Sequence, residues 1–283
     1  MHKLKSFKQR FLDRFQRELD EIEKVAPMTG SYERIQPYIA DQTVGGEHYE
    51  LIIYHKESEA WFARGALDWS LQHFHDQQFV RPGDVAFDIG CNSGAIAVYL
   101  GLAVGPQGRV LAFDPYPWNA LATKYSARLN LLDNVRTYAV GIGDRTFNLE
   151  LSLESARSLD ATNHEGKTIP ARVVDILEYV DEHPTFMKID IEGAEYELSR
   201  TDWSRFDKLE RVYLELHPFF IDDRGLESRE VLRNFARASF ELRYGHPAAA
   251  PVSPETGEPG HGSWWLTRSV ASLPSRRTLL NWR

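Results

Sequence analysis

The chain has 283 residues, 42% hydrophobic and 26% charged, which excludes disordered, collagen-like and fibrous classes and leaves one extended α/β domain or two smaller ones. Its 33 Lys and Arg against 41 Asp and Glu give a formal charge of -8, so no global basic field favours nucleic acid as a partner. The single cysteine, Cys91, excludes an intrachain disulfide and a multi-cysteine zinc site and fits a reducing compartment.

In chain order, the opening segment lacks the apolar core of a signal peptide, and no apolar run approaches the ~20 residues that span a bilayer; a soluble, cytoplasmic protein is expected. Leu4, Phe7, Phe11, Phe15, Leu19 and Ile22 recur at steps of three and four and predict an amphipathic helix. The basic residues between the early members admit a membrane-surface reading, but docking on the protein's own body or on a second subunit is the expectation. Residues 1–79 lack βα alternation. They carry a strand candidate at Tyr49–Tyr54 and a helical stretch from Trp61 to Gln78, and are expected to form an N-terminal helical cap on the domain at 80–283.

From about Val80, short apolar strands alternate with helical stretches, the signature of βαβ units and a parallel sheet. Predicted strands are Asp84–Ile89, Arg109–Asp114, Val135–Val140, Phe186–Ile191 and Arg211–Leu216, with helices over Ala95–Ala103, Pro117–Leu129 and Ser228–Phe240. Phe147–Leu153, followed by a Ser/Asn/Gly-rich stretch to Thr168, predicts a hairpin or loop over the sheet. Phe240–Gly245 and Ser263–Thr267 predict a terminal antiparallel pair around the Pro/Gly-rich loop His246–Gly262.

The segment V-A-F-D-I-G-C-N-S-G-A-I-A-V-Y-L reads as strand, glycine turn and helix. Gly90 and Gly94 let the backbone turn and approach a ligand, and the helix N-terminus offers unpaired N–H donors. Asp114 ends the next strand, 20 residues after Gly94, where a carboxylate can accept from both ribose hydroxyls of an adenosine. The spacing is G-x-x-x-G rather than the dinucleotide G-x-G-x-x-G, and no P-loop pattern is present. Asp88 would repel a pyrophosphate but suits an ammonium and a sulfonium, the charged groups of S-adenosylmethionine. Cys91 reads as a small packed side chain.

D-I-G-C-N-S-G, F-D-P-Y-P-W-N, A-V-G-I-G-D and F-M-K-I-D-I-E-G-A-E-Y-E-L together resemble the FkbM family of S-adenosylmethionine-dependent methyltransferases, over roughly Val80 to His217. K-I-D-I-E-G-A-E is the most family-specific stretch; the glycine loop is shared by class I methyltransferases, with Asn92 typical of this family. The resemblance implies a Rossmann-like class I fold: a mostly parallel seven-stranded sheet with helices on both faces, a final antiparallel strand, and S-adenosylmethionine at the C-terminal edge. It also implies O-methylation of a sugar, polyketide or related hydroxylated metabolite, a small-molecule or glycan acceptor. By position, Asp88, Gly90, Asn92 and Gly94 would hold the methionine part and Asp114 the ribose. Asp144 would lie near adenine or cap a turn. Residues 1–79 and the loop His246–Gly262 depart from the family core, and acceptor choice is expected there.

Lys188, Asp190 and Glu192 alternate with Met187, Ile189 and Ile191, so a strand would carry the charged set on one face at its C-terminal end, where open α/β sheets place ligands. Glu215 and His217 alternate on the next strand and are expected near Asp190. His217, with an ordinary pKa of about 6.5, is the natural base for an alcohol proton, and a carboxylate is the substitute. Asp190, Glu192, Glu215 and His217 also have the chemistry of a magnesium or calcium site, but no ligand loop is recognisable and no metal is the default. Three alternatives stand beside O-methylation: N-methylation, a cofactor-binding assembly module without turnover, and an NAD-dependent oxidoreductase. Formation of S-adenosylhomocysteine separates the methyltransferases from the other two.

Overall fold

The computed structural model describes residues 2–44, 46–63, 69–153, 167–256 and 260–269. Helix α1 (His2–Glu23) buries Phe15 and Leu19 completely, and Phe15 meets the rings of Tyr54 and Tyr125 edge-on at 5.6 and 5.4 Å. Strands β1 (Arg34–Val44) and β2 (Glu47–His55) pair antiparallel, from Tyr38 opposite Ile53 to Val44 opposite Glu47. Helix α2 (Lys56–Phe62) starts at His55, whose Nδ1 accepts from the Ser58 N–H at 3.0 Å while Ser58 Oγ accepts from the His55 N–H at 3.2 Å. Helix α3 (Trp69–Asp76) follows.

The described N-terminal segment, expected as a helical cap with one strand, comprises a helix, a hairpin and two short helices. The predicted strand Tyr49–Tyr54 lies inside β2. Its partner β1 escapes a periodicity reading because Gln36, Pro37, Asp41 and Gln42 interrupt the apolar pattern. The helix expected over Trp61–Gln78 is divided: Trp61 belongs to α2, α3 covers part of the remainder, and residues 64–68 lie outside the described residues.

The βα units follow as predicted: β3 (Val85–Ile89), α4 (Ala95–Val104), β4 (Arg109–Phe113), α5 (Pro117–Leu129) and β5 (Val135–Tyr138). A small sheet comes next, formed by β6 (Gly141–Gly143), β7 (Phe147–Ser152) and β8 (Thr168–Asp175). β8 is central, antiparallel to β7 and parallel to β6. The hairpin expected at Phe147–Leu153 is thus present, with a partner strand not foreseen, while the Ser/Asn/Gly-rich residues 154–166 lie outside the described residues. The chain continues through β9 (Phe186–Ile189), α6 (Glu195–Ser199), β10 (Arg211–Leu216), α7 (Pro218–Asp222), α8 (Arg229–Arg237), β11 (Glu241–Tyr244) and β12 (Gly262–Thr267).

The main sheet has seven strands in the order β11-β12-β10-β9-β3-β4-β5, with β12 antiparallel to both neighbours and the other pairs parallel. This is the Rossmann-like arrangement expected, and the terminal antiparallel pair forms one edge of it. Alternate side chains feed opposite apolar layers, Phe87, Phe113, Met187 and Leu214 on one face and Ala86, Val110, Phe186 and Tyr213 on the other. From β3 the chain moves out to β4 and β5, then returns to the other side of β3 with β9. The loops after β3 and β9 consequently part at their carboxyl ends and open a crevice.

Candidate active site

Lys188, in β9, is buried beside two carboxylates: its Nζ lies 3.4 Å from Asp88 and 3.2 Å from Asp190, and donates to the Gly90 carbonyl at 2.6 Å. Burial opposes its charge, but Asp190 and Asp88 overcome that and hold its pKa above the ordinary lysine value. Burial likewise pushes the Asp88 carboxyl up to about 6, against the pull of Lys188. Asp88 is fully buried and is not among the described residues lining the crevice. The structure places Asp88, expected on the cofactor's methionine part, beneath the crevice as a counter-ion of Lys188, and the pair fixes the glycine loop from below.

The two glycines divide their tasks. A Cβ at Gly90 (φ +81°) would stand 1.8 Å from the Asp190 carbonyl oxygen, so this glycine lets the β3 loop touch the β9 loop. A Cβ at Gly94 (φ +90°) would stand 2.7 Å from the Thr123 Cα, so Gly94 serves the packing of α4 on α5 and does not itself line the crevice. Gly90 and Asn92 do line it, and Cys91 is packed beneath them.

Asp114 lines the crevice just beyond β4. It accepts from the backbone N–H groups of Asn92 and Tyr116, each at 2.9 Å, and from Asn119 Nδ2 at 3.0 Å. Burial pushes its carboxyl up to about 6 despite these donors. It therefore braces the glycine loop as well as facing the ligand space.

That space is a cavity of about 280 Å³ between the loops after β3, β4 and β9 and the β6–β8 sheet. Ile142, Phe147, Leu149 and Leu151 give it an apolar wall, with Asp144 and Arg145 at the β6 end. Asp190, Ile191 and Glu192 line it from the β9 loop, while Tyr32 and Glu57 reach it from the N-terminal segment.

Strand β9 stops at Ile189, so the strand alternation expected through Glu192 does not hold, and Glu192 takes a left-handed φ of +53°. The turn nonetheless gathers the expected groups: His217 Nε2 lies 3.8 Å from Asp190 Oδ1 and 3.6 Å from Glu192 Oε2. Glu215 groups with His217 and His261, and its charge is felt at Lys188. Each triple, Asp190–Glu192–His217 and Glu215–His217–His261, presents ligand-type atoms within 4.8 Å of one another.

The sequence reading missed Glu195. Its buried carboxylate accepts from the backbone N–H groups of Ile191 and Gly193, each at 2.9 Å, and meets His217 Nδ1 at 3.1 Å. It closes the turn and orients the imidazole together, and the available signal was its place in the E-G-A-E stretch. Burial draws the His217 pKa down, but the Glu195 hydrogen bond and charge, with Asp190 and Glu192, raise it to about 9. Burial pushes the Glu192 carboxyl up to about 7; His217 opposes this, while Asp190, Glu195 and Glu57 reinforce it.

Residues 88–242, more than half of the chain, match the methyltransferase FkbM domain. The chain belongs to the FkbM methyltransferase family. No curated protein matches its sequence. Among solved structures, the FkbM chain is similar to fibrillarin from Aeropyrum pernix with natively bound S-adenosyl-L-methionine, at 14% identity and a TM-score of 0.43 over 86% of each chain. It is also similar to an S-adenosylmethionine-dependent O-methyltransferase from Thermotoga maritima, at 15% identity and a TM-score of 0.43 over 79% of this chain and 75% of that one. A precorrin-6y C5,15-methyltransferase from Geobacter metallireducens shows 13% identity and a TM-score of 0.36 over 67% of this chain and 82% of that one.

The cofactor of this FkbM domain is S-adenosylmethionine. The crevice fits it chemically: an apolar wall suits adenine, the Asp114 carboxylate suits a ribose diol, and the buried Glu57 Oε2, without a hydrogen-bond partner among the described residues, suits a cationic donor.

Proposed function

We propose that this FkbM methyltransferase O-methylates a hydroxyl of a small polar acceptor, a sugar or a related hydroxylated metabolite, with Glu192 as the base. The observation that carries the reading is Glu192 itself: a carboxylate on the cavity wall whose pKa is pushed up to about 7, near the value at which a general base works best at neutral pH. We place Glu192 ahead of His217 as the base because Glu195, Asp190 and Glu192 raise the imidazole pKa to about 9 against the pull of burial, which favours its protonated form at neutral pH.

When bound, S-adenosylmethionine supplies a methyl group activated by its sulfonium and leaves as S-adenosylhomocysteine. Glu192 takes the hydroxyl proton as the oxygen becomes a nucleophile. His217, held through Nδ1 by Glu195, keeps its Nε2–H toward Asp190 and Glu192 and fixes the charge around the acceptor. Asp190, 3.2 Å from the Lys188 Nζ, is a positioning group. Tyr32 and Glu57 bring the N-terminal segment onto the same cavity wall and help to hold the reactants in place.

The test is turnover of methyl-labelled S-adenosylmethionine with a panel of saccharides, glycosides, hydroxylated metabolites and amines, with products resolved by mass spectrometry. A methyl ether accompanied by S-adenosylhomocysteine is expected. Label found only on nitrogen would overturn the O-methylation reading, and cofactor binding without transfer to any acceptor would favour a module without turnover.

A further inference from the structure

Most carboxylates on the cavity wall are already engaged. Asp114 accepts three N–H groups, Asp190 meets Lys188, and Glu192 meets His217. Glu197 is gripped by the Arg224 guanidinium at 3.0 and 3.2 Å. Asp144, half-buried, follows β6 with Arg145 beside it in the chain. Glu57 is different: its Oε2 is buried and has no hydrogen-bond partner among the described residues, and no cation is paired with it there. Asp88 also has buried oxygens without hydrogen bonds, but it is paired with Lys188 and sealed from the cavity. The carboxylate that the sequence assigns to the cofactor's ammonium is thus taken up by Lys188 beneath the loop, while Glu57, on the cavity wall beside Tyr32, keeps one buried oxygen without a hydrogen bond.

We propose that Glu57, supplied by the N-terminal segment, takes the ammonium group of the cofactor's methionine part. The proposal rests on S-adenosylmethionine as the cofactor and extends the site beyond the matched residues 88–242. An N-terminal carboxylate is suited to this task because the glycine loop presents backbone to the ligand and the acid beneath it is spent on Lys188. Helix α2 holds Glu57 in its first turn, where the helix start favours a negative charge, and the His55–Ser58 capping box fixes that turn. Burial raises the Glu57 carboxyl pKa, tempered by Tyr32, and an ammonium at Oε2 would relieve that penalty.

The same chemistry could come from an amino group on the acceptor, so the test uses two cofactor fragments and no acceptor. S-Adenosylhomocysteine keeps the amino-acid part and 5′-methylthioadenosine lacks it. Calorimetry on the full chain should show Glu57→Gln binding S-adenosylhomocysteine about ten- to a hundredfold more weakly than wild type while binding 5′-methylthioadenosine equally well. Glu57→Asp, which keeps the charge on a shorter arm, should fall between them and gives a second reading if the Gln variant folds poorly. Equal affinity of wild type and both variants for S-adenosylhomocysteine would overturn the assignment and leave Glu57 to an acceptor amine or to structure. Parallel loss of both ligands would also overturn it, since that reports a distorted cavity. Failure of wild type to bind S-adenosylhomocysteine is a separate outcome that strikes the cofactor itself.

Discussion

Glu192 and His217 form a pair in which each sets the other's charge. Activity through Glu192 needs its carboxylate ionised and the neighbouring imidazole protonated, so turnover should rise with pH through about 7 and fall again through about 9. Glu192→Gln should lower kcat by about 100- to 10,000-fold and erase the acid limb, whereas His217→Asn should erase the alkaline limb with a smaller loss. Turnover measured from pH 5.5 to 10 decides it; an acid limb that survives in Glu192→Gln would hand the base role to Asp190. At this scale the sequence reading was right about company and wrong about geometry. Alternation correctly predicts Asp190, Glu192 and His217 as neighbours, yet what gathers them is the turn after Ile189, with Glu195 receiving its backbone N–H groups. A turn of this kind depends on tertiary hydrogen bonds, which periodicity does not report. Asp88 shows a related limit: its spacing before Gly90 is legible, but its burial against Lys188 from another strand is not.

Strands β3, β4, β9 and β10 were legible because their burial on both faces writes them as continuous apolar runs. β1, β6 and β8 were not: β6 is a three-residue Gly-Ile-Gly, and β8 carries Pro170 and Arg172 on exposed positions. The join between β2 and α2 has a pH consequence. His55 is fully buried there, accepts from Ser58 through Nδ1 and stands 3.4 Å through Nε2 from Ser93 Oγ in the glycine loop. Burial lowers its pKa to about 3 from 6.5, with only partial compensation from Asn119. The unfolded chain then binds a proton that the folded one refuses, so this site's contribution is fully present above about pH 6.5 and is lost as pH falls toward about 3. Between pH 7 and 5 the loss should be about 2 kcal/mol. Urea midpoints should show it in wild type and much less of it in His55→Asn, which keeps a capping acceptor but cannot titrate. Equal acid sensitivity in the two proteins would clear His55 of the effect.

At the scale of the whole molecule, the N-terminal segment is bound into the methyltransferase body by contacts that lead to the cofactor crevice. Phe15 packs on Tyr54 and Tyr125, Tyr125 donates to Glu18 at 2.6 Å, and Ser126 Oγ and Asn130 Oδ1 accept from β2 N–H groups at 3.1 and 2.8 Å. Tyr54 in turn donates to Asn119 at 2.5 Å, and Asn119 donates to Asp114 at 3.0 Å. Removing the Phe15 ring therefore opens a cavity under α1 and loosens the far end of this chain of contacts. Phe15→Ala should cost about 3 to 5 kcal/mol in a single cooperative unfolding transition, read by denaturant titration. S-Adenosylhomocysteine should recover part of the lost Tm, because it binds only the folded form. The same packing bears on membranes: among the described residues no helix is long and apolar enough to cross one, and the apolar face of α1 is covered from Phe11 to Leu19. Among the described side chains of that helix only Phe7 is large, apolar and exposed, so flotation with anionic vesicles should leave wild type in the soluble fraction. If wild type floats with the vesicles and a chain lacking residues 1–24 does not, α1 must leave its seat on α5. Its covered face would then be one of two states, and Phe15→Ala, which weakens the seated state, should float more strongly still.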